Sequence, residues 1–309
     1  MYVVLGATGN SGSVVAETLL SRGEKVRAVG RSKERLAKIA ARGAEPFVAD
    51  QTDSAALTRA FEGARAAYFM VPPNVSNPDY RGFQAQAADA AATALEVAKV
   101  RYLVGLSSYG AQHATGSGPI SGLNPVERRL ERVPGLNVLF LRAGYFMENT
   151  LPQIDAIKNF GVMAGPVKAD AVLPMIATRD IGAAAGDALL KLDFSGQQTR
   201  ELQGQRDLTY SEVAKIIGAG IGKPDLAYMQ APKDQMAGIL ASIGFSQNFT
   251  QSFLEMCDGI NDGRVVGLEP RSAKNTTPTS FEAFVKEVFV PAYRGQAVAA
   301  SSFLGGGSR

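Results

Sequence analysis

The chain begins with an apolar run that passes directly into a glycine-rich turn: Tyr2-Val3-Val4-Leu5-Gly6-Ala7-Thr8-Gly9-Asn10-Ser11-Gly12. A short, continuous apolar run is typical of a strand that is buried on both faces of a parallel sheet. The residues that follow the turn, 14–22, have a helical pattern. A strand, a tight glycine turn and a helix in this order open a βαβ unit.

The same alternation continues through the first half of the chain. Further strands are predicted at 25–29, 45–49, 66–71, 101–106 and 137–141, and further helices at 33–42, 54–62, 82–99 and 125–132. Strict alternation predicts parallel strands that are joined by helical crossovers on both faces of one sheet. We therefore expect an α/β fold with a doubly wound parallel sheet of the Rossmann type.

The pattern changes after about Asn149, where Pro and Gly become frequent. Helices are predicted at 181–192, 210–218 and 281–289, with one short strand at 199–202. We expect a nucleotide-binding domain at 1–150 and a smaller, mainly helical lobe at 151–296, some elements of which pack back on the sheet. The small residues of 297–309 predict a flexible tail.

Composition excludes several classes of protein. The 309 residues include 46% hydrophobic and 20% charged residues, which is typical of a globular domain, and the net charge of +3 is too weak and dispersed for nucleic acid. Cys257 and His113 are the only residues of their types, so we expect no internal disulfide and no transition-metal site. No apolar run is long enough for a membrane span, and Met1 leads directly into the first strand, so we expect a cytoplasmic protein.

The glycine turn predicts a dinucleotide site. Gly6 permits the tight turn, Gly9 lets the backbone approach a pyrophosphate, and Gly12 allows close packing of helix and strand. The helix that follows offers N–H groups and a positive dipole to phosphates. The spacing is Gly-x-x-Gly-x-x-Gly rather than Gly-x-Gly-x-x-Gly, but the strand before it and the helix after it are the required context. The predicted cofactor residues of this turn are Gly6, Thr8, Gly9, Asn10, Ser11 and Gly12.

The end of the second strand predicts which cofactor is preferred. An NAD-binding chain usually carries an acid about 20 residues after the glycines, to hold the ribose hydroxyls. This chain has Arg31 and Lys33 there instead. The planar guanidinium of Arg31 can bind a 2′-phosphate, with help from Lys33. We therefore expect NADP(H) to be preferred over NAD(H), although a solvated basic helix start would have the same sequence.

The next two strand ends complete the predicted cofactor site. Asp50 or Gln51 is expected beside the adenine, and Thr52 or Asp53 is expected to cap the following helix. The fourth strand is expected to pass beneath the middle of the cofactor and to contribute Met70, Val71 and Pro72.

Four motifs of the chain together carry a resemblance to a known family. They are the glycine turn, Leu106-Ser107-Ser108, Leu141-Arg142-Ala143-Gly144-Tyr145-Phe146-Met147-Glu148-Asn149 and Ile176-Ala177-Thr178-Arg179-Asp180-Ile181. With these motifs the chain resembles the NmrA-like branch of the atypical short-chain dehydrogenases. The resemblance implies an extended Rossmann fold, bound NADP(H), contact of Ser107 with the cofactor, and a small lobe over the nicotinamide. Members of that branch include NADPH-dependent quinone reductases, related reductases and redox sensors that bind nucleotide without turnover.

The proton-donating pair of related dehydrogenases is missing. They place Tyr-x-x-x-Lys after the fifth strand, and here the nearest match is Tyr109 with His113. The stretch 122–127, where some relatives keep a Lys, has none. Three interpretations stay open: Tyr109 and His113 act in another geometry, the cofactor drives hydride transfer without a strong acid, or the protein only senses NADP(H).

Candidate substrate residues follow the sixth strand. Tyr145 and Phe146 are expected where the strand end meets the second lobe, near the nicotinamide, although aromatic residues at such a junction are often simply core. Asn149 is expected to bond a substrate or to cap the next helix. Arg142 is expected to pair with a carboxylate.

Two functions of different classes follow. The first is an NADPH-dependent reductase that acts on a quinone-like or similar small apolar substrate by direct hydride transfer. The alternative is a non-catalytic NADP(H)-sensing regulator that binds a partner protein. A nucleotide-sugar epimerase is a weaker hypothesis, because it normally needs the absent Tyr/Lys pair. A homodimer or a protein partner is compatible with either function.

Overall fold

The structure is a computed structural model that describes residues 1–298. Its strands, in chain order, are β1 (Tyr2–Leu5), β2 (Val26–Gly30), β3 (Glu45–Val48), β4 (Ala66–Phe69), β5 (Tyr102–Ser108), β6 (Asn137–Ala143), β7 (Tyr145–Phe146), β8 (Met163–Gly165), β9 (Val172–Ile176), β10 (Gln197–Leu202), β11 (Asp207–Thr209) and β12 (Tyr228–Gln230).

Its helices alternate with these strands in the first half and dominate the second. They are α1 (Asn10–Ser21), α2 (Lys33–Ala40), α3 (Ser54–Phe61), α4 (Tyr80–Val97), α5 (Leu123–Glu131), α6 (Gln153–Phe160), α7 (Thr178–Lys191), α8 (Tyr210–Ile221), α9 (Lys233–Ser242), α10 (Gln247–Asn261), α11 (Phe281–Phe284) and α12 (Val290–Tyr293). Short 3₁₀ turns lie at Gly118–Ile120 and Met147–Thr150, and a π-helical turn at Val285–Phe289 joins α11 to α12.

The main sheet has seven parallel strands in the order β10-β6-β5-β4-β1-β2-β3. One hydrophobic core cluster lies beneath α3, α4 and α5, and another lies on the opposite face beneath α1, α2 and α7. The central strands are buried on both faces, which explains their continuous apolar sequences. The predicted doubly wound Rossmann fold is confirmed.

A smaller lobe covers the carboxyl edge of the sheet. It holds a three-stranded sheet of order β11-β9-β7, the parallel pair of β12 with β8, and helices α6 and α8 to α12. A third hydrophobic cluster fills it and includes Phe249 and Phe253 of α10. The predicted mainly helical C-terminal region is present.

Some element bounds differ from those predicted. α1 begins at Asn10 rather than at residue 14, and Gly9 is its N-cap residue. α4 begins at Tyr80, because the side chain of Asp79 accepts a hydrogen bond from Gly82 N. α6, α9 and α10 were not predicted.

Two later elements return to the first domain. β10 is the seventh strand and pairs with β6, and α7 packs along α1. The chain therefore crosses between the two regions after residue 150, and the division at that residue stays a prediction. The predicted flexible tail of 297–309 lies almost entirely outside the described residues.

Within residues 1–298, no helix is both long and apolar enough to cross a membrane.

The packing of α7 on α1 depends on a glycine. A Cβ at Gly182 would lie 2.6 Å from the carbonyl oxygen of Ser11 and 2.6 Å from Cβ of Val14. Gly182→Ala should therefore destabilise the protein by about 1–3 kcal/mol, because backbone must shift to admit one methyl group. Urea denaturation measures the effect.

Gly238 in the interior of α9 is the matched control. A Cβ there would meet no described atom within 4 Å. Gly238→Ala should stabilise the protein by up to about 1 kcal/mol, the difference in helix propensity. If both substitutions changed the free energy of unfolding in the same direction, the packing argument would be wrong.

Candidate active site

The glycine turn brings β1 and α1 close together and requires glycine at two positions. Gly6 has a φ of +65°, which favours glycine, and a Cβ at Gly12 would lie 2.2 Å from the carbonyl oxygen of Gly6. Gly9 is different, since its backbone is extended and a Cβ there would meet only that same oxygen, at 3.3 Å. The protein by itself leaves space at Gly9, and Gly9 faces a cavity. The space is suited to a ligand group.

The N-terminus of α1 faces the same cavity. Within the described chain no side chain caps this helix, and both Asn10 and Ser11 line the cavity. The first turn of a helix carries N–H groups and partial positive charge that attract anions. Thr8 and Gly12, which were also predicted to bind the cofactor, do not line the cavity. The turn and helix start together provide a phosphate-binding geometry.

Charged residues follow the ends of β2 and β3. Arg31 and Lys33 are both exposed. Arg35, which was not predicted, reaches back and donates from its guanidinium to the carbonyl oxygen of Thr8 at 3.3 Å. Arg35 therefore brings a positive charge to the glycine turn, and Arg31 brings one close to Asp50.

Asp50 and Gln51 lie beside that region. Burial opposes ionisation of Asp50, but hydrogen bonds from Thr52 and the charge of Arg31 lower the pKa of its carboxyl. Gln51 is buried, and its Oε1 has no hydrogen-bond partner in the described residues. Asp53, one of the two predicted caps, accepts from Ala56 N at 2.9 Å.

The fourth strand end forms one wall of the cavity. Met70 and Val71 line it, and the sulfur of Met70 would be 3.0 Å from a Cβ at Gly6. Pro73 lines the cavity, whereas the predicted Pro72 does not. The wall is therefore apolar and in contact with the glycine turn.

The cavity measures about 290 Å³ and lies between the carboxyl edge of the sheet and the second lobe. Such an edge is where open α/β sheets bind their ligands. Its far half is lined mainly by apolar side chains that the sequence did not single out. These are Tyr80, Pro119, Ile120, Leu123, Phe253, Met256, Ile260 and Val265.

The three predicted substrate residues all line this cavity. The hydroxyl groups of Tyr145 and Tyr210 are 2.9 Å apart. Burial raises the pKa of Tyr145 to about 12, although hydrogen bonds from Tyr210 and Asn149 oppose the rise. Phe146 is half-buried, and Asn149 lies in a 3₁₀ turn, where it caps no helix. The alternative role of Asn149 as a helix cap is therefore wrong.

Ser107 connects the cavity to a buried ion pair. Its Oγ donates to Oε1 of Glu127 at 2.5 Å. Arg142 donates to the same carboxylate from Nε at 3.0 Å and from Nη2 at 2.6 Å, which confirms its predicted pairing. Because its proton is held by Glu127, Ser107 is left with only an acceptor oxygen for any further hydrogen bond. Glu127 was not predicted, since its partners lie on two separate strands.

Glu148 is a second carboxylate that the sequence analysis did not single out. It is buried, lines the cavity, and accepts from Thr178 Oγ1 at 2.6 Å and from Thr178 N at 3.1 Å. Burial raises the pKa of Glu148, against the lowering effect of the Thr178 hydrogen bonds. Thr178 is the first residue of α7, so Glu148 ties the cavity wall to that helix.

The two predicted catalytic residues are not brought together. Tyr109 lines the cavity, but its pKa is raised by burial and then by Glu201, a carboxylate that does not line it. His113 is exposed and lies outside the lining. No Lys lies among the described lining residues to lower the pKa of a tyrosine. The position of His113 therefore does not support a catalytic role for this residue.

The fold and this site define a Rossmann-type protein with a dinucleotide cleft, and the comparisons agree. The NmrA-like family model matches residues 2–285, so the chain belongs to the NmrA-like family.

Related proteins carry reductase names. The chain is 30% identical over 224 residues to a (4-alkanoyl-5-oxo-2,5-dihydrofuran-3-yl)methyl phosphate reductase of Streptomyces griseus, covering 72% of this chain and 75% of that protein. It is 27% identical to an NAD(P)H azoreductase of Xenophilus azovorans, covering 83% and 86%. The NADPH complex of quinone oxidoreductase QOR2 from Escherichia coli superposes with a TM-score of 0.79 at 24% identity, covering 94% and 100%.

The glycine turn can be tested directly. Gly9→Val should abolish NADPH binding and leave the fold intact, because the side chain would fill the space that faces the cavity. Calorimetry measures binding, and circular dichroism shows whether the variant is folded. A folded variant that binds NADPH normally would contradict the assignment of the turn.

Proposed function

We propose that this protein is an NADPH-dependent reductase of a quinone-like or similar small apolar substrate. One observation carries the proposal: a single cavity is lined at one end by the glycine turn and at the other by apolar side chains of the second lobe. A cofactor held at the turn therefore has an apolar compartment next to it. The names of the related reductases support the same reaction class.

The residues at the near end fit a dinucleotide. The turn at Gly6 and Gly9 would hold the pyrophosphate, and Asp50 and Gln51 after β3 would lie beside the adenine. Ser107 lines the cavity, its proton is held by Glu127, and it would accept a hydrogen bond from the nicotinamide half. When bound, NADPH supplies a hydride for a two-electron reduction.

Preference for NADP(H) over NAD(H) is part of the proposal. Arg31 follows β2 and lies close enough to Asp50 to lower its pKa, Lys33 begins α2, and Arg35 reaches the glycine turn. The acid typical of NAD sites is absent from the end of β2. An arginine fork binds a phosphate group through two parallel hydrogen bonds. The 2′-phosphate would be held in this way.

The chain's own residues contribute mainly orientation and exclusion of water. The apolar walls from α10 and from residues 119–123 would hold a planar substrate against the nicotinamide. Hydride addition to a quinone gives a phenol-like anion, which water protonates readily near neutral pH because the pKa of such a group is about 10. No Tyr/Lys pair is required for this step. The reaction therefore tolerates the missing proton donor.

A nucleotide-sensing regulator is the alternative. That alternative arises because the usual Tyr/Lys proton donor is absent. The quinone reaction proposed here needs no such donor. Three relatives that are 25–30% identical to this chain carry reductase or oxidoreductase names, whereas NmrA, a negative transcriptional regulator, matches in structure at 18% identity. A protein partner or a homodimer stays a prediction, and so does the cytoplasmic location.

Arg31 provides a test of cofactor preference. Arg31→Ala should weaken NADPH binding by about 1.5–3 kcal/mol and leave NADH binding unchanged, because only NADPH carries the charged partner. Calorimetry with both cofactors measures the effect. Lys38→Ala, which removes an exposed charge from the last turn of α2, is the control and should change neither affinity. Equal affinities of the unmodified protein for both cofactors would contradict the preference.

Tyr109 and His113 test the absence of a proton donor. Tyr109→Phe and His113→Ala should each change the turnover of a quinone by less than about tenfold, whereas loss of a general acid typically costs about a hundredfold or more. Steady-state kinetics over a range of pH measures the effect. A large, pH-dependent loss in Tyr109→Phe with unchanged NADPH affinity would assign proton donation to Tyr109.

A further inference from the structure

Part of the cavity wall comes from residues 264–269, a segment between α10 and α11 that we call the strap. Val265 of the strap lines the cavity, and its Cγ1 would lie 3.3 Å from a Cβ at Gly110. A Cβ at Gly267 would lie 2.8 Å from the ring of Tyr109, which also lines the cavity. The strap therefore packs directly on the residues that follow β5.

Burial of side chains contributes little to holding the strap in place. The strap lies outside every described helix and strand, and its Val266 and Leu268 are 48% and 65% exposed. The side-chain amides of Gln112 and Gln203 donate to two of its carbonyl oxygens, at 3.2 and 3.3 Å. These bonds join neutral groups and are at the long end of the hydrogen-bond range. The position of the strap therefore depends on a stronger anchor.

Glu201 of β10 provides that anchor. It is 2% exposed, and its Oε1 accepts from Leu268 N at 2.7 Å while its Oε2 accepts from Glu269 N at 2.9 Å. Hydrogen bonds to a carboxylate are about twice as strong as those between neutral groups. Among the ion pairs of residues 1–298, none includes Glu201. The two amides of the strap are therefore the partners that stabilise this buried carboxylate.

The strap is fixed at its two ends in different ways. At its start, the backbone N atoms of Arg264 and Val265 donate to the carbonyl oxygen of Gly259, at the end of α10. At its far end, Glu201 ties it to β10, which is held in the main sheet by its pairing with β6. Loss of the carboxylate would free the far end and break no bond of the sheet, because the strap amides can bond to water once they move outward.

We propose that Glu201 is a positioning residue for the far half of the cavity: it holds the strap against Tyr109 and thereby keeps Tyr109 and Val265 in the wall. A strap that moves outward would admit water to this wall and remove contacts from a bound substrate. The inference deepens the reductase function and rests on it for the effect on turnover. The anchoring of the strap can be tested without turnover.

Hydrogen exchange on the full chain tests the anchor. Glu201→Gln keeps the shape of the side chain but replaces one acceptor oxygen by an NH₂ group, which cannot accept from a backbone amide. Exchange in peptides that span 264–271 should become at least about tenfold faster, because the strap opens locally. Arg200→Gln removes a charge from the exposed neighbour on β10 and should leave exchange unchanged. Unchanged exchange in Glu201→Gln, or an equal rise throughout β6, would overturn the proposal.

A difference between the effects on KM and on kcat separates positioning from a general loss of structure. With menadione as the acceptor, Glu201→Gln should raise KM at least about fivefold and change kcat by less than about twofold, because the strap supplies contacts common to substrate and transition state. The Kd for NADPH, measured by calorimetry, should stay within about twofold, since the glycine turn lies at the other end of the cavity. Equal weakening of menadione and NADPH binding would contradict the positioning role.

Gly267→Ala moves the strap from the opposite side and keeps the carboxylate. The new Cβ would lie 2.7 Å from Glu201 Oε2 and 2.8 Å from the ring of Tyr109, so the strap must shift. We expect the same rises in exchange and in KM, and the double variant should exceed the larger single effect by less than about twofold, because both changes act through one segment. Gly238→Ala adds its methyl group in open space and should change neither quantity. Effects that multiply in the double variant would contradict a shared route.

The outcomes distinguish this inference from the reductase function. If Glu201→Gln does not fold, Gly267→Ala decides by the same two measurements. If exchange in the strap rises as expected and the unmodified protein reduces no quinone with NADPH, the anchoring holds and the proposed reaction is wrong. If the unmodified protein reduces menadione and both variants leave its KM unchanged, the reductase function holds and the positioning role is wrong.

Discussion

The site depends on how closely α1 approaches β1 at the glycine turn. The approach is possible because Gly12 has no side chain. A Cβ there would lie only 2.2 Å from the carbonyl oxygen of Gly6. α7 then packs on α1 at Gly182, again with no room for a methyl group. These contacts place the N-terminus of α1, with its partial positive charge, at the edge of the cavity. The phosphate-binding geometry therefore results from backbone packing, with no contribution from a charged side chain in the turn.

Helix α7 also contacts the wall of the cavity. Glu148 lies in the cavity wall and accepts hydrogen bonds from Thr178, where α7 begins. Charged groups around the cavity are satisfied in this manner, as Arg142 is by Glu127. The half of the cavity away from the glycine turn is lined mainly by apolar side chains. Such a compartment is compatible with the apolar substrate of the proposed reductase.

Much of the first half could be predicted from the sequence because its signals are local. The strands β1, β2 and β4 were expected within two residues of their observed ends, since each is a short apolar run between turn residues. The glycine turn and the candidate residues at the strand ends follow from the same pattern, because parallel strands end at one edge. The residues of α10 that line the cavity could not be found in this way. Phe253 and Met256 have no local signature, and only packing of the lobe brings them to the cavity.

The sequence by itself determined the doubly wound fold, the nucleotide end and the absence of a Tyr/Lys pair, because these depend on short-range patterns and on residue identity. Only the tertiary structure decided that β10 completes the sheet, that Arg35 reaches the glycine turn and that His113 lies outside the cavity. It also decided which buried polar atoms lack partners. Each of these outcomes depends on contacts between residues far apart in the chain, which periodicity and spacing do not encode.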